Sequence, residues 1–316
     1  MNDKPEFSVA VGDYDRVQPL ITGRVTIPSG RLNVTTLTTG PMLAAAARAE
    51  FDITEQSLAS YLISRQRPDP AYVALPIFPS RMFRHNAVYV PRDSPLHRPE
   101  QLPGKRVGLL AWHITAMVWI RGIFAGDHGV ALDSVRYVLP DSGPAPLARP
   151  RPPTSVEIGT GSLEEMLADG RIAAIYAPGA PAGFGPPGAP IRRLLADPVS
   201  YEQDYFRRHA IFPPMHVLVV RRQLLAARPE LGPELLDAFT AAKRIAQHAV
   251  AETAEVHAMD PWLYAHAEST RQLMGEDFWP YGIEPNRTAL TTFLRYAHEQ
   301  GLTARRWSPE ELFTAD

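Results

Sequence analysis

The chain contains no cysteine, which removes thiolate nucleophiles, Cys-ligated zinc, iron–sulfur clusters and disulfides together. It has no excess of charge: 32 basic against 34 acidic side chains leave a net charge of −2, too weak a field to attract nucleic acid or an anionic membrane. No stretch approaches the roughly 20 uninterrupted apolar residues of a membrane span. The start, MNDKPEFSVAVGDYDR, shows neither a basic n-region nor a long apolar segment nor a small-residue cleavage site. These absences predict a cytoplasmic protein with a small-molecule partner, no nucleic acid and no membrane. Lysine is nearly missing as well, with only Lys4, Lys105 and Lys243, so arginine becomes the default anion clamp. There is no HExxH, no GxSxG, no Walker loop and no GxGxxG that follows a strand. Zincin, hydrolase, NTPase and dinucleotide-binding readings lose their usual support.

What is present is enough chain for about two domains or one large α/β unit. Proline is abundant at about 10%, twice the usual share, and 11 of the 32 lie between Pro140 and Pro190. Short apolar runs alternate with helical patterns over the first 220 residues, which predicts α/β architecture with a largely parallel sheet. Strands are expected at Phe7–Val11, Leu32–Leu37, Phe51–Thr54, Val73–Ile77, Ala87–Val90, Arg106–Leu110, Val135–Leu139, Ile172–Tyr176 and His216–Val220. Helices are expected at Pro41–Ala49, Ser57–Arg65, Thr115–Phe124, Ser162–Ala168, Val199–Arg208, Glu230–Ala251, Glu255–Met274 and Asn286–Glu299. The turn-rich VYVPRDSPLHRPEQLPGKR (88–106) and the strand after FPP (212–214) read as two crossings between lobes. They predict a first lobe from 1–88 and 213–316, an inserted second lobe from 89–212, and a hinged cleft between them. The proline-rich stretch then reads as loop decoration of the inserted lobe.

Ligands of α/β sheets collect beyond the carboxyl ends of strands, and the polar residues gather there. The loop after the first strand carries Asp13, Tyr14 and Arg16, and FDITEQS carries Glu55 and Ser57. FPSRMFRH (78–85) carries Ser80, Arg81, Arg84 and His85; AWHIT carries Trp112, His113 and Thr115, with Arg121 farther along that helix; the return adds His216. Each has a plainer reading. GDYDR is a common surface turn, Glu55 could cap a helix, Thr115 could be a simple N-cap, and Arg121 could pair with Asp127. The remaining histidines, His97, His128, His209, His248, His257, His266 and His298, lie in turns or on helix faces. Together, five strand-end or crossing segments rich in Arg, His, Glu and Asp suit a small anionic ligand.

GDYDR, FDITEQSLASY, FPSRMFRH, WIRGI, FPPMH, MGEDFWPYG and FLRYAHEQG span nearly the whole chain and together resemble the 4,5-dihydroxyphthalate decarboxylase family. The resemblance implies a two-lobed type II periplasmic-binding-protein-like fold with a helical C-terminal region, and a homo-oligomer. It implies decarboxylation of a hydroxylated aromatic carboxylic acid, 4,5-dihydroxyphthalate to protocatechuate. One segment departs from the family pattern: Ala173 and Gly179 stand in IAAIYAPGAP where an acidic residue and an arginine are usual.

Such a reaction needs an anchor for the carboxylate that stays, an acid for the ring carbon and a partner for the phenol. Arg81 and Arg84 are the first expected anchors, then Arg16 and Arg121. His85 and His216 are the expected acids, with Glu55 as orienter and Asp13 and His113 in reserve. Trp112, Tyr14 and Trp279 are expected aromatic walls. No cofactor is expected; a divalent metal held by histidines and a carboxylate is the variant. The rival class is a solute-binding protein without catalysis, and a decarboxylase acting on another aromatic acid is the nearer competitor. Phe239, Trp262, Phe278, Trp279, Phe293 and Tyr296 should pack mostly on the first lobe, some at a subunit interface.

Overall fold

The structure is a computed structural model that describes residues 4–141, 154, 156–254 and 258–314. Pro144, Pro146, Pro150, Pro152 and Pro153 of the proline cluster, and the start of the helix expected from Glu255 with His257, lie outside the described residues. Strands β1 (Glu6–Val11), β2 (Arg31–Thr36), β3 (Ile53–Ser57), β4 (Tyr72–Leu75), β5 (Val88–Pro91), β6 (Arg106–Leu109), β7 (Arg136–Pro140), β8 (Val156–Gly159), β9 (Ala174–Tyr176), β10 (Ile191–Arg193) and β11 (His216–Arg221) form two sheets. The first has the order β2-β1-β3-β11-β4, the second β10-β5-β9-β6-β7-β8. The chain leaves the first sheet after β4 and rejoins it antiparallel, with β11 between β3 and β4.

The helices are α1 (Gln18–Ile21), α2 (Thr39–Ala47), α3 (Leu58–Ser64), α4 (Thr115–His128), α5 (Leu163–Ala168), α6 (Pro198–His209), α7 (Arg222–Ala227), α8 (Leu231–Ala251), α9 (Leu263–Met274), α10 (Arg287–Glu299) and α11 (Pro309–Phe313). The sequence misses β8 and β10, which are the two edges of the second sheet. Edge strands are short and half solvated, so VEIG and IRR carry no periodic signal. It also ends β3 early and starts α9 early. In β3, Thr54, Glu55, Gln56 and Ser57 are all buried, so a strand whose interior is polar was cut where its hydrophobicity stopped.

The two crossing segments lie against each other. Arg81 bridges Pro214, Met82 N–H donates to Pro213 O at 3.1 Å, and the Ser80 carbonyl accepts from Met215 N–H at 2.8 Å. Between the sheets runs α4, whose residues from Thr115 to Phe124 are buried on every side; a helix apolar all round belongs to a core. Its Phe124 meets Tyr176 of β9 edge-on, while its Trp119 meets Phe293 and Tyr296 of α10. Phe293 and Tyr296 therefore reach across to α4 rather than staying on the first sheet. One continuous apolar core joins both sheets. Trp262, at 67%, is exposed instead.

Gly122 permits the close approach of α4 and α10: a Cβ there would stand 2.2 Å from a Tyr296 ring carbon. Alanine ordinarily favours a helix over glycine by about 1 kcal/mol, but overpacking of this kind costs about 1–3 kcal/mol. Gly122→Ala should therefore lower the thermal midpoint, and a rise would show that the two helices are not packed this tightly.

Candidate functional site

The site is built where the carboxyl end of β3 meets the amino end of β11. His216 is registered opposite Ser57 and Leu218 opposite Glu55, which makes Glu55 and His216 diagonal neighbours on one face. Nδ1 of His216 lies 3.1 Å from Glu55 Oε2. The Glu55 side chain is 0% exposed and that of His216 11%. A buried carboxylate is costly unless its lone pairs are filled, and Glu55 has three donors: His216, the Gly12 N–H at 2.8 Å and the Tyr14 hydroxyl at 3.5 Å. Because a carboxylate only accepts, the imidazole presents Nδ1–H to it and keeps Nε2 for a ligand. Gly12 serves twice, since a Cβ there would stand 2.3 Å from the Tyr14 ring; only glycine lets the tyrosine fold back to reach Glu55. Sequence reasoning missed this role, which a glycine at a strand end followed closely by an aromatic could have suggested. Burial and the charge of Glu55 push the Tyr14 hydroxyl up to about 12, so it remains a donor at neutral pH.

Beside Tyr14 the loops bring Arg16, and Arg84 reaches Met215, the residue before His216. Arg16 is sandwiched between the rings of Tyr14 and Trp279, 4.1 and 4.2 Å from their centroids. Its Nε donates to Pro79 O at 2.5 Å and its Nη1 to Asp15 at 3.0 Å. The plane of the guanidinium is thereby fixed by stacking, a geometry lysine could not hold. Arg84 donates through Nη1 to Pro178 O at 3.0 Å and approaches the sulfur of Met215, the neighbour of His216, at 3.2 Å. Burial brings it down to about 10, still cationic. From the second sheet's side, Thr115 Oγ1 lies 2.8 Å from Ser57 Oγ and accepts from Ala59 N–H at 3.0 Å. Thr115 is thus not the cap of its own helix, where Ile114 holds that position; it caps α3 from the neighbouring element. His113, two residues earlier, is held below the usual imidazole range by burial and by the charge of Arg121. Ser80 shares the Tyr14 hydroxyl.

Other expected site residues are engaged by the scaffold. Arg81, placed first among the anchors, donates to Phe212 O at 2.9 Å, to Pro280 O at 2.6 Å and to Asn286 Oδ1. It staples the crossings to the C-terminal loop, because carbonyls distant in sequence supply the acceptors that an anion would have supplied. His85 is 1% exposed against Tyr205, and burial pushes it down to about 4; it faces α6, not Glu55, and is a core histidine. Arg121 stacks on Trp112 at 3.8 Å and donates to Gln300 Oε1 at 2.8 Å and Trp112 O at 2.7 Å. Trp112 Nε1–H donates to Gln300 O at 2.9 Å, which makes Trp112 a core residue. Asp127 pairs with Arg208 and His209 rather than with Arg121. Asp13 accepts from Gln18 at the surface. Gln300, which nothing in the sequence singled out, joins α10 to α4 through Arg121, Trp112 and Val118 O.

Among the described residues no group of three or more histidines and carboxylates converges as a metal-ligand set. No helix there is long and apolar enough to cross a membrane.

No protein-family model matches the chain. A 4,5-dihydroxyphthalate decarboxylase of Comamonas testosteroni is 33% identical over 98% of this chain and 96% of its own length. A protein of the same name from Pseudomonas putida is 32% identical over 65% of this chain and 83% of its own. Among solved structures, a protein of Archaeoglobus fulgidus covers 94% of this chain and 98% of its own at a TM-score of 0.53 and 15% identity. The periplasmic aliphatic sulphonate binding protein SsuA of Escherichia coli covers 98% and 92% at a TM-score of 0.52 and 12% identity. These likenesses show a two-lobed periplasmic-binding-protein-like α/β fold.

Thr115→Val keeps the shape but removes the acceptor for Ala59 N–H and the partner of Ser57. An unsatisfied buried group costs about 1–3 kcal/mol, so urea unfolding should show a loss of that size, whereas Thr115→Ser should retain most of the stability. Equal stability of Thr115→Val and the parent would mean that the bonds across the two elements do not form.

Proposed function

Because the chain belongs to the 4,5-dihydroxyphthalate decarboxylase family, we propose that its own substrate is a hydroxylated aromatic dicarboxylate, 4,5-dihydroxyphthalate first, released as protocatechuate and CO2. The protein is a carboxy-lyase. The observation that carries the assignment of the site is the buried Glu55–His216 pair, whose further partner Tyr14 stacks on Arg16. A solute receptor has no need of a buried acid–base pair.

The carboxyl group to be lost stands para to a ring hydroxyl. Protonation of its ring carbon forms a C–H bond while electron density from that hydroxyl carries the resulting positive charge. The C–C bond then breaks, its electron pair restores the aromatic ring, and CO2 leaves. His216, oriented by Glu55, acts in its imidazolium form: it delivers the proton from Nε2 and is left as the neutral imidazole with Nδ1–H on Glu55. Arg84 and Arg16 hold carboxylate oxygens, and the neutral His113 and the Tyr14 hydroxyl meet the phenols. Exclusion of water favours the neutral CO2 over its charged parent. We read the reaction as free of cofactor because the hydroxylated ring itself accommodates the charge. We read the inserted lobe as residues 89–212, supported by the sheet crossings, and the assembly as a homo-oligomer, supported by exposed Met259, Trp262 and Tyr264.

Incubation with 4,5-dihydroxyphthalate and a series of aromatic acids in deuterated water should release CO2 and leave one deuterium on the product ring. His216→Asn should lower kcat by about 10²–10⁴-fold with KM little changed. Near-parental turnover by that variant would sink the assignment of the acid. Turnover lost on chelation and restored by a divalent metal would overturn the cofactor-free reading.

A further inference from the structure

The loop between α9 and α10 is tied down over the segment that leaves the first sheet after β4. Gly282 N–H donates to Pro76 O at 2.7 Å, Trp279 Nε1–H to Phe78 O at 2.9 Å, and Arg81 to Pro280 O at 2.6 Å. Its other anchor is Lys243 of α8. That side chain is 3% exposed, on the buried face of the helix with Phe239, Ala242 and Ala246. Its Nζ donates to Asp277 Oδ1 at 2.5 Å and to Trp279 O at 3.0 Å, and Asp277 accepts from Gln247 Nε2 as well, at 3.2 Å. A buried ammonium is costly unless it is paired, and packing alone would be served better here by an apolar residue. The loop needs the polar hold on this side, because a cavity of about 230 Å³ opens between it and helices α8 and α9, lined by Lys243, Val250, Leu263, Thr270, Phe278 and Trp279.

These contacts continue into the site without a gap. Arg16 Cζ lies 4.2 Å from the Trp279 ring centroid and 4.1 Å from that of Tyr14. Tyr14 in turn reaches Glu55 at 3.5 Å, and Glu55 reaches His216 at 3.1 Å. We propose that Lys243 is a positioning residue that fixes, through the backbone of Trp279, the plane in which Arg16 presents its guanidinium to an anionic ligand. A planar fork grips a carboxylate well only when its N–H bonds point along the oxygens. A guanidinium stacked between two rings keeps that plane only while both rings stay. Tyr14 is held by Glu55, whereas Trp279 is held at its indole by Phe78 O and at its backbone by Lys243. Without the lysine, the turn at 277–279 loses its tie to α8 and the indole tilts off Arg16. This rests on the reading that Arg16 holds a substrate carboxylate.

Phthalate, which lacks the ring hydroxyls, is the non-reacting probe, with its dissociation constant measured by calorimetry. Arg16→Met should weaken binding by about ten-fold or more, the usual worth of hydrogen bonds to a charged group. Lys243→Met, similar in length but without donors, should weaken it several-fold. KM for 4,5-dihydroxyphthalate should rise in step while kcat stays near the parental value. In the Arg16→Met background the Lys243→Met effect should vanish, which a general loosening of the fold would not do. Asp277→Asn keeps an acceptor for Nζ and should stay near the parental affinity. Asp277→Ala, a change at an exposed side chain, should act in the same direction as Lys243→Met, and it replaces that variant throughout if Lys243→Met does not fold. Parental phthalate affinity in the folded variant, an effect that survives Arg16→Met, or a fall in kcat with KM unchanged overturns the inference while leaving the proposed function standing. Unchanged affinity in Arg16→Met overturns the reading of Arg16 as a carboxylate anchor, and the inference with it. Absence of both phthalate binding and 4,5-dihydroxyphthalate turnover in the parent overturns the substrate reading itself, on which the inference rests.

Discussion

Glu55 is a carboxylate with no exposed surface, and much of the first sheet is arranged to make that tolerable. An uncompensated buried charge costs several kcal/mol, so β1 must be followed by a residue whose N–H points inward, Gly12, and that residue must lack a side chain for Tyr14 to return. The returning strand must then set His216, not another residue, on the diagonal. Glu55 thus dictates the register of β11 against β3 as well as the tautomer of the histidine. The same requirement explains why β3 is polar inside yet lies at the centre of its sheet. A strand of this kind is unfavourable as packing and sensible only as a site.

The second constraint is α4. It is covered by the second sheet on one side and by α10 and α3 on the other, so the two lobes share a core instead of meeting only through two crossings. The docking is polar as well as apolar, through Arg121, Trp112 and Gln300.

The sequence revealed the frame well because strand and helix periodicities are local. Nine strands stand near their expected places, and those missed are edges with too little burial to pattern. The positions of Glu55 and His216 at strand ends were legible, as was the role of Glu55 as orienter of a histidine; which histidine it would meet, His85 or His216, was not, because register between strands 161 residues apart has no local signature. Arg81, Arg84 and His85 looked alike in FPSRMFRH. Their fates differ because of carbonyls at 212, 280 and 178 and of the packing of α6, none of which is encoded nearby. That an arginine flanked by aromatics avoids water was a sound inference for Arg81; that its acceptor would be a ligand was not. Gln300 had no signal at all, being an ordinary residue at the end of an amphipathic helix.

The docking of α10 also fixes an order of events during synthesis. Arg121 and its acceptor on Gln300 are 179 residues apart, and contacts so remote in sequence form late and slowly. Until the last helices have emerged, the buried face of α4 has no cover, and the nascent chain carries an apolar surface where the finished protein has its interior. The site can be completed only after most of these 316 residues exist, so no fragment ending before α10 should be competent, and α10 closes the core on which the first strands depend.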